Sequence, residues 1–74
     1  MTAAAFSRID GAPVWVQPLP DLGVHWAWVH GTTEFVTWPS EGSTTAWRGM
    51  TAETRSLAMA VLLHNLVARA KASR

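Results

Sequence analysis

Three histidines are the residues of this sequence that could bind a metal ion or transfer protons. His25 and His30 are separated by an odd number of positions, so a regular strand directs their side chains to opposite faces. His64 has no histidine or carboxylate four residues away, and the sequence contains no cysteine. Because neither a shared face nor a thiolate ligand is available, the spacing predicts no metal site and no other cofactor.

Acidic and hydroxyl side chains are present, but their spacing does not indicate catalysis. The acids fall mostly in predicted turns or at a predicted helix start: Asp10, Asp21, Glu34, Glu41 and Glu53. The sequence has no G-x-S-x-G elbow and no glycine-rich loop that could hold a phosphate. We therefore predict no catalytic residues and a protein that is not an enzyme.

Five tryptophans in 74 residues are the most unusual feature of the composition. Aromatic side chains on a sheet can stack on unpaired bases, but such sites also need cations for the phosphates. The net charge is only +1, which favours a core or a protein interface over base stacking. We predict that Trp26, Trp28 and Trp38 supply bulk to a small core. Trp15 and Trp47 lie on less regular segments, and we predict that they contact a partner.

Charged residues make up 15% of the chain, against about a quarter in typical globular domains. A chain this short has much surface for its volume, so the low charge leaves apolar area that favours a protein partner or a second copy. Twelve alanines, and five arginines against one lysine, are typical of a GC-rich coding sequence, which suggests a bacterium or its phage.

The elements that must position these residues are two hairpins and a helix. Asp10–Gly11 between two apolar segments is a strong signal for a tight turn. The clearest strand covers residues 23–30, and residues 34–38 supply its neighbour. If Val36 and Trp38 share the face of Trp26 and Trp28, cross-strand aromatic pairing would stabilise this hairpin by roughly 0.2–1 kcal/mol per pair. Residues 44–48 could add a further short strand.

Thr51 is a good N-cap, and neither Gly nor Pro interrupts residues 51–71. Helical spacing places an apolar stripe on one side of this segment: Met59, Leu62, Leu63, Leu66, Val67 and Ala70. The chain is therefore predicted to be one α+β domain, residues 1–74. Its sheet has three or four antiparallel strands over residues 6–48, and the C-terminal helix 51–71 packs on one face.

Leu57 and Val61 lie one helical turn apart and off the apolar stripe, so they predict a second contact face on the helix. With the two tryptophans and nearby cations, they form the predicted set of partner contacts: Trp15, Trp47, Arg48, Leu57, Val61 and Arg69.

The leading hypothesis is a small protein-binding module that occludes a surface of a larger protein. A phage- or mobile-element-encoded inhibitor of host machinery, of the anti-CRISPR or another anti-defence type, is an example. One alternative is nucleic-acid binding through the Trp-bearing sheet with Arg48, Arg69, Lys71 and Arg74. Another is a structural homo-oligomer, such as a phage particle component; a homodimer is also open.

No apolar run approaches the roughly 20 residues that a membrane span needs, since the longest covers residues 57–63. Residues 1–6 lack the pattern of a secretory signal. We therefore expect a cytoplasmic protein that does not contact a membrane.

Overall fold

The computed structural model describes residues 4–40 and 44–73. It confirms the predicted α+β fold: a four-stranded antiparallel sheet with strand order β1-β2-β3-β4 packs against the C-terminal helix. Its shortest dimension is 17 Å, which has room for two layers of secondary structure. The strands are β1 (Ala5–Ile9), β2 (Ala12–Leu19), β3 (Val24–Val29) and β4 (Phe35–Pro39), and the helices are α1 (Thr45–Arg48) and α2 (Ala52–Ala72).

The turn between β1 and β2 consists of Asp10 and Gly11, as the sequence predicts. Both residues have positive φ, 49° and 81°, which is the geometry that two-residue hairpin turns require. The turn pairs Ile9 with Ala12 and thereby sets the register of the whole hairpin. A two-residue turn thus decides which side chains of β1 and β2 share a face.

The core lies between one face of the sheet and α2. Val14, Ala27 and Val29 are almost completely buried there, because the strand register aligns them on the face towards the helix. The helix contributes Leu66 and Val67, which are equally buried. The predicted apolar stripe is confirmed: its other members, Met59, Leu62, Leu63 and Ala70, are buried in this core or pack against it.

Helix α2 begins where its N-cap predicts. The Thr51 Oγ1 atom accepts a hydrogen bond from the backbone N–H of Thr54 at 3.1 Å, which satisfies one of the free donors of the first turn. The helix then covers Ala52–Ala72, in agreement with the predicted residues 51–71.

Residues 44–48 do not form the short strand that the sequence allows. They form the helical turn α1, because Thr44 Oγ1 accepts a hydrogen bond from the backbone N–H of Trp47 at 3.1 Å and caps it. The turn directs Trp47 into the core, where only 8% of the residue is exposed. Little of this side chain is left to contact another protein, and its contact with a partner stays a prediction. Trp38, by contrast, is buried as predicted.

Polar contacts fix the C-terminal half of α2 over the sheet. His64 Nδ1 lies 2.9 Å from Asp10 Oδ2, and Lys71 Nζ donates to the Asp10 carbonyl at 2.8 Å. Arg69 Nε lies 3.8 Å from Glu34 Oε2. Because Arg69 and Glu34 are partly solvent-exposed, their ion pair adds at most about 1 kcal/mol to stability.

Candidate protein-binding surface

The face of the sheet that points away from the helices carries five aromatic side chains. Each strand supplies one of four of these side chains. The four lie side by side across the sheet in one line of paired residues, which we call the register line: Phe6 pairs with Trp15, Trp15 with Trp28, and Trp28 with Phe35. Trp26 precedes Trp28 by two residues and therefore points to the same face. We call these five residues the aromatic row.

The rings of the aromatic row form a continuous chain of contacts. Phe6 meets Trp15 edge to face, with centroids 4.9 Å apart, and Trp15 stacks on Trp28 at 6.3 Å. Trp28 stacks on Trp26 at 4.3 Å and 27°, and Trp26 meets Phe35 edge to face at 6.2 Å. Offset-stacked and edge-to-face pairs are the favourable aromatic arrangements. The rings therefore cover one another's faces.

Exposure within the aromatic row increases from its centre to its ends. The three tryptophans are half-buried, whereas Phe6 and Phe35 are 47% and 56% exposed. The two exposed phenylalanines lie on the edge strands β1 and β4. The sheet therefore presents an apolar surface across its full width.

The strand register decides against the possibility that Val36 and Trp38 share the face of Trp26 and Trp28. Val36 pairs with Ala27 and Trp38 with His25, so both lie on the helix side. Alternate residues of a strand point to opposite faces, so the helix side of β3 carries Ala27 and not the two tryptophans. Trp26 and Trp28 therefore do not belong to the helix-covered core, contrary to prediction.

Few polar or charged groups lie among the rings. Trp26 Nε1 donates a hydrogen bond to Gln17 Oε1 at 3.4 Å. Arg8 is the one charged side chain that the strand register places on this face in the described part of the chain. Its guanidinium lies 5.6 Å from the Phe6 ring centroid and its Nη1 donates to the Gly11 carbonyl at 3.4 Å. The remaining described cations belong to α1 and α2, on the opposite side of the sheet.

The predicted partner contacts fall on different surfaces. Trp15 belongs to the aromatic row, on the uncovered face of the sheet. Leu57 and Val61 are 67% and 52% exposed, on the outer side of α2. Arg48 is exposed at the end of α1, where its Nη2 donates to Thr45 Oγ1 at 3.4 Å, and Arg69 contacts Glu34 as described above. The structure thus brings Trp15 together with four aromatic residues outside the predicted set.

Phe6 and Phe35 were missed by the sequence analysis, although the chain carries a signal for one of them. A two-residue turn at Asp10–Gly11 places Phe6 directly opposite Trp15, since residues equally distant from a hairpin turn pair. The partner of Trp28 depends on the longer connection after β3, whose pairing is not set by a two-residue turn.

A cavity of about 330 Å³ lies between the sheet and the first turns of α2. His25 is at its edge, stacked on Trp38 at 5.7 Å, with its Nδ1 atom 2.9 Å from Ser40 Oγ. Arg55 Nη1 donates to the carbonyls of Met50 at 2.7 Å and Trp47 at 3.4 Å. In the described part of the chain no carboxylate contacts His25. The lining residues are Val16, His25, Trp38, Trp47, Ala52, Arg55, Ser56 and Met59.

Among residues 4–40 and 44–73, no three histidine or acidic side chains lie close enough together to hold a metal ion. Neither described helix combines the length and the apolar character that crossing a membrane requires. Comparisons with family models, with curated proteins and with solved structures find no match to this chain.

Proposed function

We propose that this chain is a non-catalytic protein-binding module whose aromatic row contacts the partner. The observation that carries the proposal is the exposure of Phe6 and Phe35 at the two ends of an apolar surface. Contiguous apolar surface that no other element covers is typical of interaction sites. Tryptophan is also enriched among the residues that dominate binding energies.

A protein is a better partner for the aromatic row than a single-stranded nucleic acid. Base stacking needs free ring faces, whereas Trp28 stacks on both Trp15 and Trp26. Phosphates need cations, and among the described residues the strand register places Arg8 alone on this face. With one phosphate contact, the affinity for a single strand would have a logarithmic salt slope of only about −0.7. An apolar protein surface needs neither free ring faces nor cations.

The proposed mode of action is occlusion of a surface on a larger protein, as an inhibitor encoded by a phage or mobile element would act. Occlusion needs no catalytic group. Ser40 Oγ lies 2.9 Å from His25 Nδ1, and no carboxylate among the described residues orients this histidine. A flat apolar face on a small scaffold is sufficient for it.

The test compares variants at the exposed ends of the aromatic row with a matched control. Phe35→Ser removes an exposed apolar side chain from the row, and Phe6→Ser does so at the other edge. Leu22→Ser removes an equally apolar side chain, 72% exposed, from a 3₁₀ turn, Pro20–Leu22, that lies between β2 and β3 and outside the row. We expect immobilised wild type and Leu22→Ser to capture the same protein from a lysate of the native source, and both phenylalanine variants to lose it.

Capture of that protein by all four chains would refute a contact through the aromatic row. A titration with single-stranded oligonucleotides tests the other class of partner. Salt-sensitive quenching of tryptophan fluorescence that disappears with Arg8→Gln would favour nucleic acid, whereas we expect no quenching. Circular dichroism confirms that each variant is folded before it is compared.

A further inference from the structure

The aromatic row has a symmetry that a second copy of the chain would match. Across the four strands its register line reads Phe6, Trp15, Trp28, Phe35, which is the same sequence of residue types from either edge. We infer that the uncovered face closes on the same face of a second copy. This inference rests on the proposed function, because it names one occupant of that protein-binding surface.

The symmetry operation is a two-fold axis that runs parallel to the strands, midway between two facing sheets and between β2 and β3. It places β2 of one copy over β3 of the other and β1 over β4, so the interface is isologous. Phe6 then faces Phe35 of the second copy, and Trp15 faces Trp28. Every aromatic side chain of the register line faces an aromatic side chain of the same type.

Residues of the two central strands outside the register line also face suitable residues of the second copy. Leu19 pairs with Val24 in the β2–β3 register, so the same axis places Leu19 over Val24 of the second copy. Gln17 pairs with Trp26 and comes to lie over Trp26 of the second copy. Because Trp26 Nε1 donates to Gln17 Oε1 within one chain, these two polar groups keep a hydrogen bond when the face is buried.

Charge favours a second copy over a partner with a charged surface. An interface buries an unpaired charge only at a high desolvation cost. The centre of this face carries none, and Arg8 lies on the edge strand β1, where its guanidinium contacts Phe6 and the Gly11 carbonyl. Two copies can therefore meet at the centre without desolvating a charge.

The area of the face indicates a weak dimer. With strands about 4.8 Å apart and a rise of about 3.3 Å per residue, a four-stranded face five to eight residues long covers roughly 320–500 Å². Standard stable interfaces remove roughly 800 Å² per partner from water. The dimer should therefore dissociate on dilution, and a foreign partner would compete with the second copy for the aromatic row.

Analytical ultracentrifugation across a wide concentration range tests this dimer. We expect the apparent mass of wild type to rise from that of one 8.1 kDa chain towards twice that value. Phe6→Ser and Phe35→Ser should stay monomeric at every concentration, with circular dichroism to show that they are folded. Leu22→Ser and Leu57→Ser should dimerise like wild type, because neither residue lies on the uncovered sheet face.

If the apparent mass stays at that of one chain at all concentrations, a second copy does not bind the aromatic row and this inference fails. If such a monomer still captures a different protein through the phenylalanine-dependent surface, the proposed function stands and only this inference fails. Loss of the dimer with Leu57→Ser but not with Phe35→Ser would also overturn it, since association would then occur through α2. A wild type that dimerises but captures nothing would contradict occlusion of a larger protein and leave the second copy as the partner of the aromatic row.

Discussion

Replacing Trp26 and Trp28 by valine, singly and together, measures how strongly the rings of the aromatic row support one another. The two rings stack with centroids 4.3 Å apart and 27° between their planes. Such pairs contribute about 0.5–1.5 kcal/mol beyond the area they bury. We therefore expect the double substitution to lower the free energy of unfolding by about 0.5–1.5 kcal/mol less than the sum of the two single substitutions. Valine keeps the strand propensity high.

The assay is urea unfolding followed by far-ultraviolet circular dichroism, since the substitutions remove fluorescent side chains. It is run at the lowest protein concentration that the signal allows, where self-association contributes least. Phe6→Val and Phe35→Val form the control cycle. These residues lie on opposite edges of the sheet, roughly 14 Å apart, and should be additive within about 0.5 kcal/mol. A tryptophan coupling no larger than that of the control would refute mutual support between the rings.

Further substitutions test the fold by the same unfolding assay. Leu66→Ala should lower the free energy of unfolding by about 2–5 kcal/mol because the side chain is completely buried, while Leu57→Ala should change it by less than about 0.5 kcal/mol; equal effects would contradict the assignment of the two faces of α2. Trp47→Ala should cost about 3–5 kcal/mol, and a neutral result would mean that this residue is not in the core. Thr51→Ala should cost about 0.5–2 kcal/mol through loss of the N-cap, an effect that Thr51→Ser should largely avoid. Gly11→Ala should cost about 1–2 kcal/mol through its positive φ alone, because no atom lies within 4 Å of the added Cβ; an unchanged stability would show that the turn adopts another geometry.

The hairpin turn and the C-terminal helix could be predicted because their signals are local. Asp10–Gly11 needs only its own two residues to form the turn, and Thr51 needs only the N–H of Thr54 to cap α2. The absence of Gly and Pro from residues 51–71 predicted how far the helix extends. Local backbone chemistry therefore accounts for the element order and for the predicted fold.

The face of the sheet that α2 covers could not be predicted from the strands, because β3 is apolar on both sides. Val24, Trp26 and Trp28 make one side the more hydrophobic, and that side was expected to form the core. Packing decides otherwise, since α2 approaches Ala27 and Val29, whose small side chains leave room for it. The buried face therefore does not follow from the hydrophobicity of one strand alone.

The burial of Trp47 could not be predicted from its sequence neighbours either. A segment of residues 44–48 rich in threonine and tryptophan suits a strand by propensity. The hydrogen bond from the Trp47 N–H to Thr44 Oγ1 instead closes a helical turn, and that turn is what buries the indole. Threonine is a common N-cap residue, so Thr44 is compatible with a capped helical turn. Short segments of this composition are equally common in strands.

Whether the aromatic row serves only to cover the sheet can be judged from its two ends. Rings that merely shield a sheet need to protect its centre, and the half-buried tryptophans do so. Edge strands usually carry charged residues, because an exposed apolar edge invites association with other chains. Here Phe6 and Phe35 occupy both edge strands at 47% and 56% exposure, and the strand register adds only Arg8 as a charge on that face. Serine or lysine at these two positions would leave the stacks between the tryptophans in place, so shielding of the centre alone does not account for phenylalanine there. The proposed contact with another protein surface would account for both phenylalanines.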